Sequence, residues 1–229
     1  MTDAMLQALG ELVSCESPST DAEATRRCGE LAAELVRTRL GAVPERIELG
    51  GRTHLRWTWG TPRVLLLGHL DTVWPSGTLA RWPFSVDGDV VTGPGVFDMK
   101  AGVVQAVEAL SLLPSLDGAS LLLTVDEELG SPTSADLVVD SARGCRAALV
   151  CEPSAAGALK TARKGIALYQ LAITGRAAHA GLEPEKGVNA AVALAHAVLG
   201  LAALGDPALG TTVTPTLAGA GTTTNTVTA

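Results

Sequence analysis

A chain of 229 residues that is 47% hydrophobic but only 3% aromatic is long enough to bury a core without staples, and must fill it with Ala, Val and Leu. Its formal net charge of −7 and pI near 5.1 exclude the basic stripe that nucleic-acid binding requires, and so few aromatic rings leave little to stack on bases. The longest apolar stretch of helical character, Val188 to Leu204, is broken by Asn189, His196 and Gly200, so the sequence predicts no membrane span.

Met1 to Ser14 carries acidic residues and lacks a basic flank leading into an apolar run, so no secretory signal is read and a cytoplasmic protein is expected. Cys15, Cys28, Cys145 and Cys151 show neither metal-knuckle nor redox spacing and are expected to be reduced, buried small residues. Thr20 and Glu23 resemble a capping box, and Ala24, Cys28, Leu31 and Leu35 then recur at helical spacing, which predicts a helix over residues 21–40 closed by Gly41. His54, between Arg52 and Arg56, is read as a surface residue of a strand.

Three short apolar runs follow, Val64 to Leu67, Leu121 to Val125 and Ala147 to Val150, each reading as a strand buried on both faces. Between the first two, Met99 to Leu113 reads as a helix with Val103, Val107, Leu110 and Leu113 inward. Alternating strands and helices predict an α/β domain with a largely parallel sheet. Beyond Pro153 the pattern changes. Gly165 to Gly175 alternates like an antiparallel strand, Val188 to Leu204 is an Ala-rich helix, and Thr211 to Ala229 has weak strand character. The expected organisation is a catalytic domain over 1–160 and a small α+β domain over 161–229.

Metal-competent side chains fall at the ends of the predicted strands. His69 and Asp71 follow the first, Asp126, Glu127 and Glu128 the second, and Glu152 the third, while Asp98 lies after the loop Gly93-Pro94-Gly95 at the start of a helix. Ligands of open α/β sheets bind outside the carboxyl ends of the strands, so these groups should share one crevice. One imidazole among several carboxylates repels itself unless a cation intervenes, and mixed His and carboxylate ligation suits a pair of zinc ions, with cobalt or manganese as replacements. In extended chain His69 and Asp71 project to one face, so Asp71 can bond the imidazole nitrogen turned away from a metal. Adjacent Glu127 and Glu128 point differently, which lets one bind metal and the other take a proton from water.

The segments LLLGHLDTVWP, GPGVFDMKAG, TVDEELGS, CEPS and ITGRAAHAG resemble, in order and spacing, the co-catalytic zinc metallopeptidase family that holds bacterial glutamate carboxypeptidase, acetylornithine deacetylase, succinyl-diaminopimelate desuccinylase and aminoacylase. The sequence is most similar to the glutamate carboxypeptidase type. The resemblance implies that Asp98 bridges two zincs, His69 and Glu152 complete one, Glu128 serves the other, Glu127 is the general base and Asp71 orients. It further implies a small lid and dimerisation domain whose His179 reaches the active site of a partner subunit, with Asn225 near the substrate. Members of the family continue past this domain into the catalytic domain and supply a last histidine ligand there, so a chain ending at Ala229 is expected to be C-terminally incomplete.

The expected activity is hydrolysis of an amide or peptide bond, by exopeptidase action on a small peptide with a free carboxylate or by deacylation of an N-acyl amino acid. A non-catalytic homologue that binds a full-length relative is the contrasting expectation. Arg163 and Lys164, before the small domain, are candidates for pairing with a substrate carboxylate. His196 on the Ala-rich helix reads as structural. Trp57 and Trp59 read as packing residues, and only Trp74 and Trp82 lie near enough to the His69 loop to line a pocket.

Overall fold

A computed structural model of the chain describes residues 2–154 and 156–229, which fall into two units, Met1–Thr161 and Ala162–Ala229. The first opens with helices α1 (Asp3–Ser14) and α2 (Ala22–Leu40). Asp21, rather than Thr20, caps α2: its carboxylate accepts from the N–H groups of Glu23 and Ala24 at 3.0 and 2.9 Å, and a carboxylate is a stronger acceptor than a hydroxyl at a helix N-terminus. Gly41 closes the helix in the left-handed conformation.

Strands β1 (Glu45–Leu49), β2 (Arg52–Thr58) and β3 (Val64–His69) follow, then a small hairpin of β4 (Ser85–Asp87) and β5 (Val90–Thr92). Helix α3 (Ala101–Ser111), strand β6 (Ala119–Thr124), helix α4 (Ala135–Ala142) and strand β7 (Ala147–Val150) complete the unit. The sheet order is β1-β2-β6-β3-β7. β3 pairs in parallel with both β6 and β7, whereas β2 is antiparallel to β6 and to β1. Four strands therefore point one way and β2 the other, which makes this an α/β fold with a mostly parallel sheet. The parallel register sets His69 beside Thr124, so the loops leaving β3 and β6 start side by side.

Leu9, Leu12 and Val13 of α1, Cys28, Ala32 and Val36 of α2, and Val103, Val107 and Leu110 of α3 pack in one buried cluster with Leu55, Trp57, Leu121 and Leu123 of the sheet. The central strand β6 is buried throughout. Three expectations fail at the margins of this core. β7 is exposed along its length, because it is the edge of the sheet and has only β3 as a neighbour. Leu113 is half exposed, since α3 ends at Ser111 and the inward face ends with it. Of the cysteines, all free, only Cys28 is fully buried.

The second unit holds helix α5 (Ala190–Ala202), whose first turn is capped by Asn189 accepting from Ala191 and Val192. Gly165 to Gly175 does not form the expected strand: no ladder partner is paired with it among the described residues, and Ile166, Leu168 and Tyr169 are almost fully exposed. Alternation alone does not make a strand, because its backbone groups need a partner. Among the described residues, the Thr-rich segment after 210 forms no ladder and contributes the isolated bridges Asp206–Thr211 and His179–Thr226. No helix among the described residues is long and apolar enough to cross a membrane.

Candidate metal centre

The carboxyl end of β3 delivers His69 with its ring almost completely buried. Gly68, just before it, allows this depth, for an added Cβ would stand 3.1 Å from the end of Met99 and 3.2 Å from Val103 on α3. The segment beyond His69 is held by a strap that the sequence did not disclose as functional, Ser17-Pro18-Ser19. Ser17 Oγ donates to the Leu70 carbonyl at 2.7 Å, Thr72 N–H to the Ser17 carbonyl at 2.9 Å, and Ser19 N–H to the Thr72 carbonyl at 3.0 Å. Arg52 ties the strap to the end of β6, donating to the Ser19 carbonyl at 2.7 Å and the Val125 carbonyl at 3.2 Å.

Asp98 lies in a tight turn, Val96–Lys100, whose interior is non-helical at Asp98 and Met99. Lys100 anchors that turn from below. It is buried, and its ammonium donates to the Leu12 and Cys15 carbonyls at 2.9 and 3.0 Å. Glu127 and Glu128 occupy a short turn directly after β6, and Glu152 follows β7 by two residues.

The geometry around His69 Nε2 is the informative one. Asp98 Oδ1 lies 3.1 Å away, Glu152 Oε1 3.3 Å and Glu127 Oε2 3.9 Å. Ligand atoms of His69, Glu127 and Glu152, and likewise of His69, Asp98 and Glu128, lie within 4.8 Å of one another. On the far side of the ring, Nδ1 donates to the Asp71 carbonyl at 2.9 Å and faces the Asp71 carboxylate at 3.4 Å. Both neighbours of Nδ1 are acceptors, so that nitrogen carries a proton. In the neutral ring Nε2 is then a lone pair facing carboxylates, an arrangement that a cation between them resolves. The donor set of one imidazole nitrogen and clustered carboxylate oxygens is one that zinc accepts.

Without a metal, a proton on Nε2 takes the place of that cation. Burial alone would lower the pKa of His69, but the Asp71 and Glu152 carboxylates outweigh it and raise it to about 11. Burial also pushes Glu127 and Glu128 up; against the opposing effect of His69, the Glu152, Asp71 and Asp98 carboxylates add to this for Glu127, and those of Asp98, Asp71 and Glu127 for Glu128. Asp71 behaves differently. Burial works to raise its pKa, but contact with His69 and the N–H of Glu128 holds it below the usual carboxylate range. It does more than face the imidazole, for its two oxygens accept from the N–H groups of Glu127 and Glu128 at 3.2 Å each. One buried carboxylate thus aims the histidine and fixes the acidic turn.

His69, Asp71, Asp98, Glu127, Glu128 and Glu152 are brought together; Arg163, His179 and Asn225 belong to the second unit. There Ala180 N–H donates to the Asn225 carbonyl at 2.9 Å, which places Asn225 beside the His179 segment. His179 Nδ1 accepts from the N–H groups of Gly181 and Leu182 at 3.2 and 3.1 Å, so its Nε2 carries the proton. Arg163 is exposed. Trp74 and Trp82 meet edge to face at 4.9 Å. His54 corrects the expectation of a surface residue: it is fully buried, with Nε2 3.0 Å from Thr133 Oγ1. Thr133, ahead of α4, packs onto this face of β2 and against Gly50 of the β1–β2 turn, and so covers the imidazole.

The profile of Peptidase family M20/M25/M40 matches residues 65–225. Carboxypeptidase G2 of Pseudomonas sp. (strain RS-16) is 35% identical over 97% of this chain and 56% of its own length. Succinyl-diaminopimelate desuccinylase of Azoarcus sp. (strain BH72) is 38% identical over 61% of this chain and 42% of its own. Among solved structures, a tripeptidase from Staphylococcus aureus subsp. aureus mu50 superposes with a TM-score of 0.64 at 18% identity, covering 98% of this chain and 62% of that one. This last likeness concerns the fold alone. The chain spans about half the length of the relatives it matches.

Proposed function

The chain belongs to peptidase family M20/M25/M40, and from that premise we propose that the protein is a zinc-dependent hydrolase of amide or peptide bonds, acting as an exopeptidase on substrates with a free terminal carboxylate. The observation that carries this reading is the convergence of Asp98 and Glu152 on His69 Nε2, at 3.1 and 3.3 Å. His69, Asp98 and Glu152 would hold one ion, and Asp98 with Glu128 a second. Zinc bound there supplies Lewis acidity to the scissile carbonyl and to water.

Glu127 is assigned as the base because its carboxylate stands farther from His69 Nε2 than those of Asp98 and Glu152, and because its raised pKa suits a group that takes a proton and returns it. In this role it accepts a proton from the attacking water and delivers it to the leaving amine. Asp71 holds Glu127 and His69 in mutual register through the bonds described above. The Nε2–H of His179 is a donor suited to a developing oxyanion, and we assign it to the site of a partner subunit in a homodimer, with residues 162–229 as the lid and dimerisation domain. Asn225, beside it, and Arg163 are assigned to the substrate. The free cysteines support a reducing, cytoplasmic setting.

The name of the Pseudomonas relative supports the carboxypeptidase form, whereas that of the desuccinylase supports deacylation of N-acyl amino acids as a second reading. The full-length zinc-loaded protein should hydrolyse a dipeptide-like substrate and lose at least two orders of magnitude in rate when its terminal carboxylate is amidated, since the groups built to pair that charge go unmet. Equal rates on acid and amide would exclude the carboxypeptidase reading. Absence of zinc from the purified protein, measured by elemental analysis, would exclude both.

A further inference from the structure

The loop Asp126 to Ser134 carries Glu127 and Glu128, and its first residue, Asp126, turns away from them into the protein. Asp126 is fully buried. Its Oδ2 accepts from Thr133 N–H and Thr133 Oγ1, each at 2.7 Å, and from Ser134 N–H at 3.2 Å, while its Oδ1 accepts from Ser134 Oγ at 2.5 Å. The two ends of the loop are thus closed onto one carboxylate.

The relay continues into the sheet. Thr133 Oγ1 has a single proton and gives it to Asp126, so the 3.0 Å contact with His54 Nε2 makes the imidazole the donor. The neutral ring carries its proton on Nε2, and Nδ1 is left as an acceptor with no hydrogen-bond partner among the described residues. Burial holds the His54 pKa below its usual value, in keeping with a neutral ring. The turn between β1 and β2 completes the clamp: Gly50 has φ +55°, and a Cβ there would stand 2.4 Å from the Thr133 methyl. Thr133 is therefore held between the hairpin, His54 and Asp126.

We infer that His54 and Thr133 are positioning residues that act through Asp126 to aim the Glu127–Glu128 turn, setting where the base and the metal-binding carboxylate stand. The inference rests on the proposed function for the roles of Glu127 and Glu128, but its geometry is independent of them. Neither residue touches the site. A purely structural pair would affect melting and leave the chemistry of the folded molecules unchanged, whereas a positioning pair alters metal affinity and turnover in molecules that remain folded.

The test uses the full-length protein with zinc alone as the first probe. Thr133→Val keeps the shape and deletes the hydroxyl, and Thr133→Ser restores it; His54→Leu deletes the donor, and His54→Gln retains one. Zinc affinity is read by competition with a chromophoric chelator, and kcat and KM on the carboxylate substrate. Thr133→Val and His54→Leu should each weaken zinc binding by about 10- to 100-fold and lower kcat with KM little changed. Thr133→Ser and His54→Gln should return both quantities to within a few-fold of the parent. Folded Thr133→Val with parental zinc affinity and kcat would overturn the inference, as would a Thr133→Ser variant as impaired as Thr133→Val. Should the deletion variants fail to fold, the conservative pair decides: parental zinc affinity and kcat sustain the inference, and loss of either overturns it. A parent protein that binds no zinc would instead overturn the function proposed above.

Discussion

Replacing Asp71 by Asn separates what its charge does from what its shape does. The carboxylate is fully buried and accepts the N–H groups of Glu127 and Glu128 on separate oxygens, with His69 Nδ1 3.4 Å away. Asparagine keeps one acceptor and sets an amide N–H₂ against the other backbone N–H, so one charge-assisted bond is lost and a buried donor is left facing a donor. Such a loss costs about 2–4 kcal/mol, and in a protein of this size each kcal/mol lowers the melting temperature by roughly 2–4 °C. Asp71→Asn should therefore melt about 5–15 °C lower in chelator and bind zinc about 10- to 100-fold more weakly. The pKa of Asp71 is held low in the folded protein, so its contribution is present above the unfolded-state value near 3.8 and disappears as pH falls through the folded value. The melting difference between parent and variant should accordingly persist at pH 5–8 and shrink in more acid solution. Scanning fluorimetry across pH and chelator competition for zinc measure these effects. A variant that melts within a degree of the parent and binds zinc as tightly would refute the claim that the charge orders the site.

Glu127→Gln should lower turnover by about two to four orders of magnitude, as loss of a proton shuttle does, while elemental analysis finds the parental zinc content; lost zinc would mean that Glu127 and Glu128 have exchanged roles. Lys100→Met strands the Leu12 and Cys15 carbonyls that its ammonium now satisfies, and at about 1–3 kcal/mol for each buried group left unpaired it should melt several degrees lower; an unchanged melting temperature would show that water replaces the ammonium. In metal-free protein the pKa of His69 is raised to about 11, so stability from its charged ring is complete below the unfolded value of 6.5 and declines as pH rises toward 11. The raised pKa values of Glu127 and Glu128 act in the same direction. Melting of chelator-treated protein should therefore fall between pH 6 and pH 10, and saturating zinc should flatten that slope.

What was legible in the sequence follows from the length scale of each signal. β7 has the predicted bounds and β3 extends the predicted run to His69, because a short apolar run bounded by Gly, Pro or charge leaves little else to form. The convergence of His69, Asp98, Glu127 and Glu152 was likewise readable, since residues just past parallel strands share one sheet edge. The β1–β2 pair was harder: Glu45, Arg46, Glu48, Arg52 and Arg56 dilute its apolar pattern, and its ion pairs, such as Arg56 with Glu45 at 2.7 Å, appear only once the register is known. Helix α1 buries Leu9, Leu12 and Val13, a stripe too short to stand out in the sequence. His54 illustrates the limit. Flanked by two arginines it reads as solvated, and only its pairing between two strands and its bond to Thr133, 79 residues away, show it to be core.

The division of labour among the carboxylates explains how so acidic a site can exist in a folded chain. Carboxylates within 4.8 Å of one another repel by about 3 kcal/mol per pair at an effective dielectric near 20, a cost that several such pairs would make comparable with the whole stability of a domain. Two aspartates escape it by spending their charge on fixed donors: Asp71 on the Glu127 and Glu128 N–H groups, Asp126 on Thr133 and Ser134. Both are fully buried and both are held ionised. Asp98 and Glu127, by contrast, keep about half of their side chains in water, which screens their charge. The buried pair therefore supplies geometry without adding unbalanced charge to the crevice, and the exposed carboxylates supply charge without having to fix the backbone. Exchanging the two environments would fail on both counts: a buried, unsatisfied Glu127 would be neutral and bring no charge to the crevice, and a solvated Asp71 could not hold the turn that presents it.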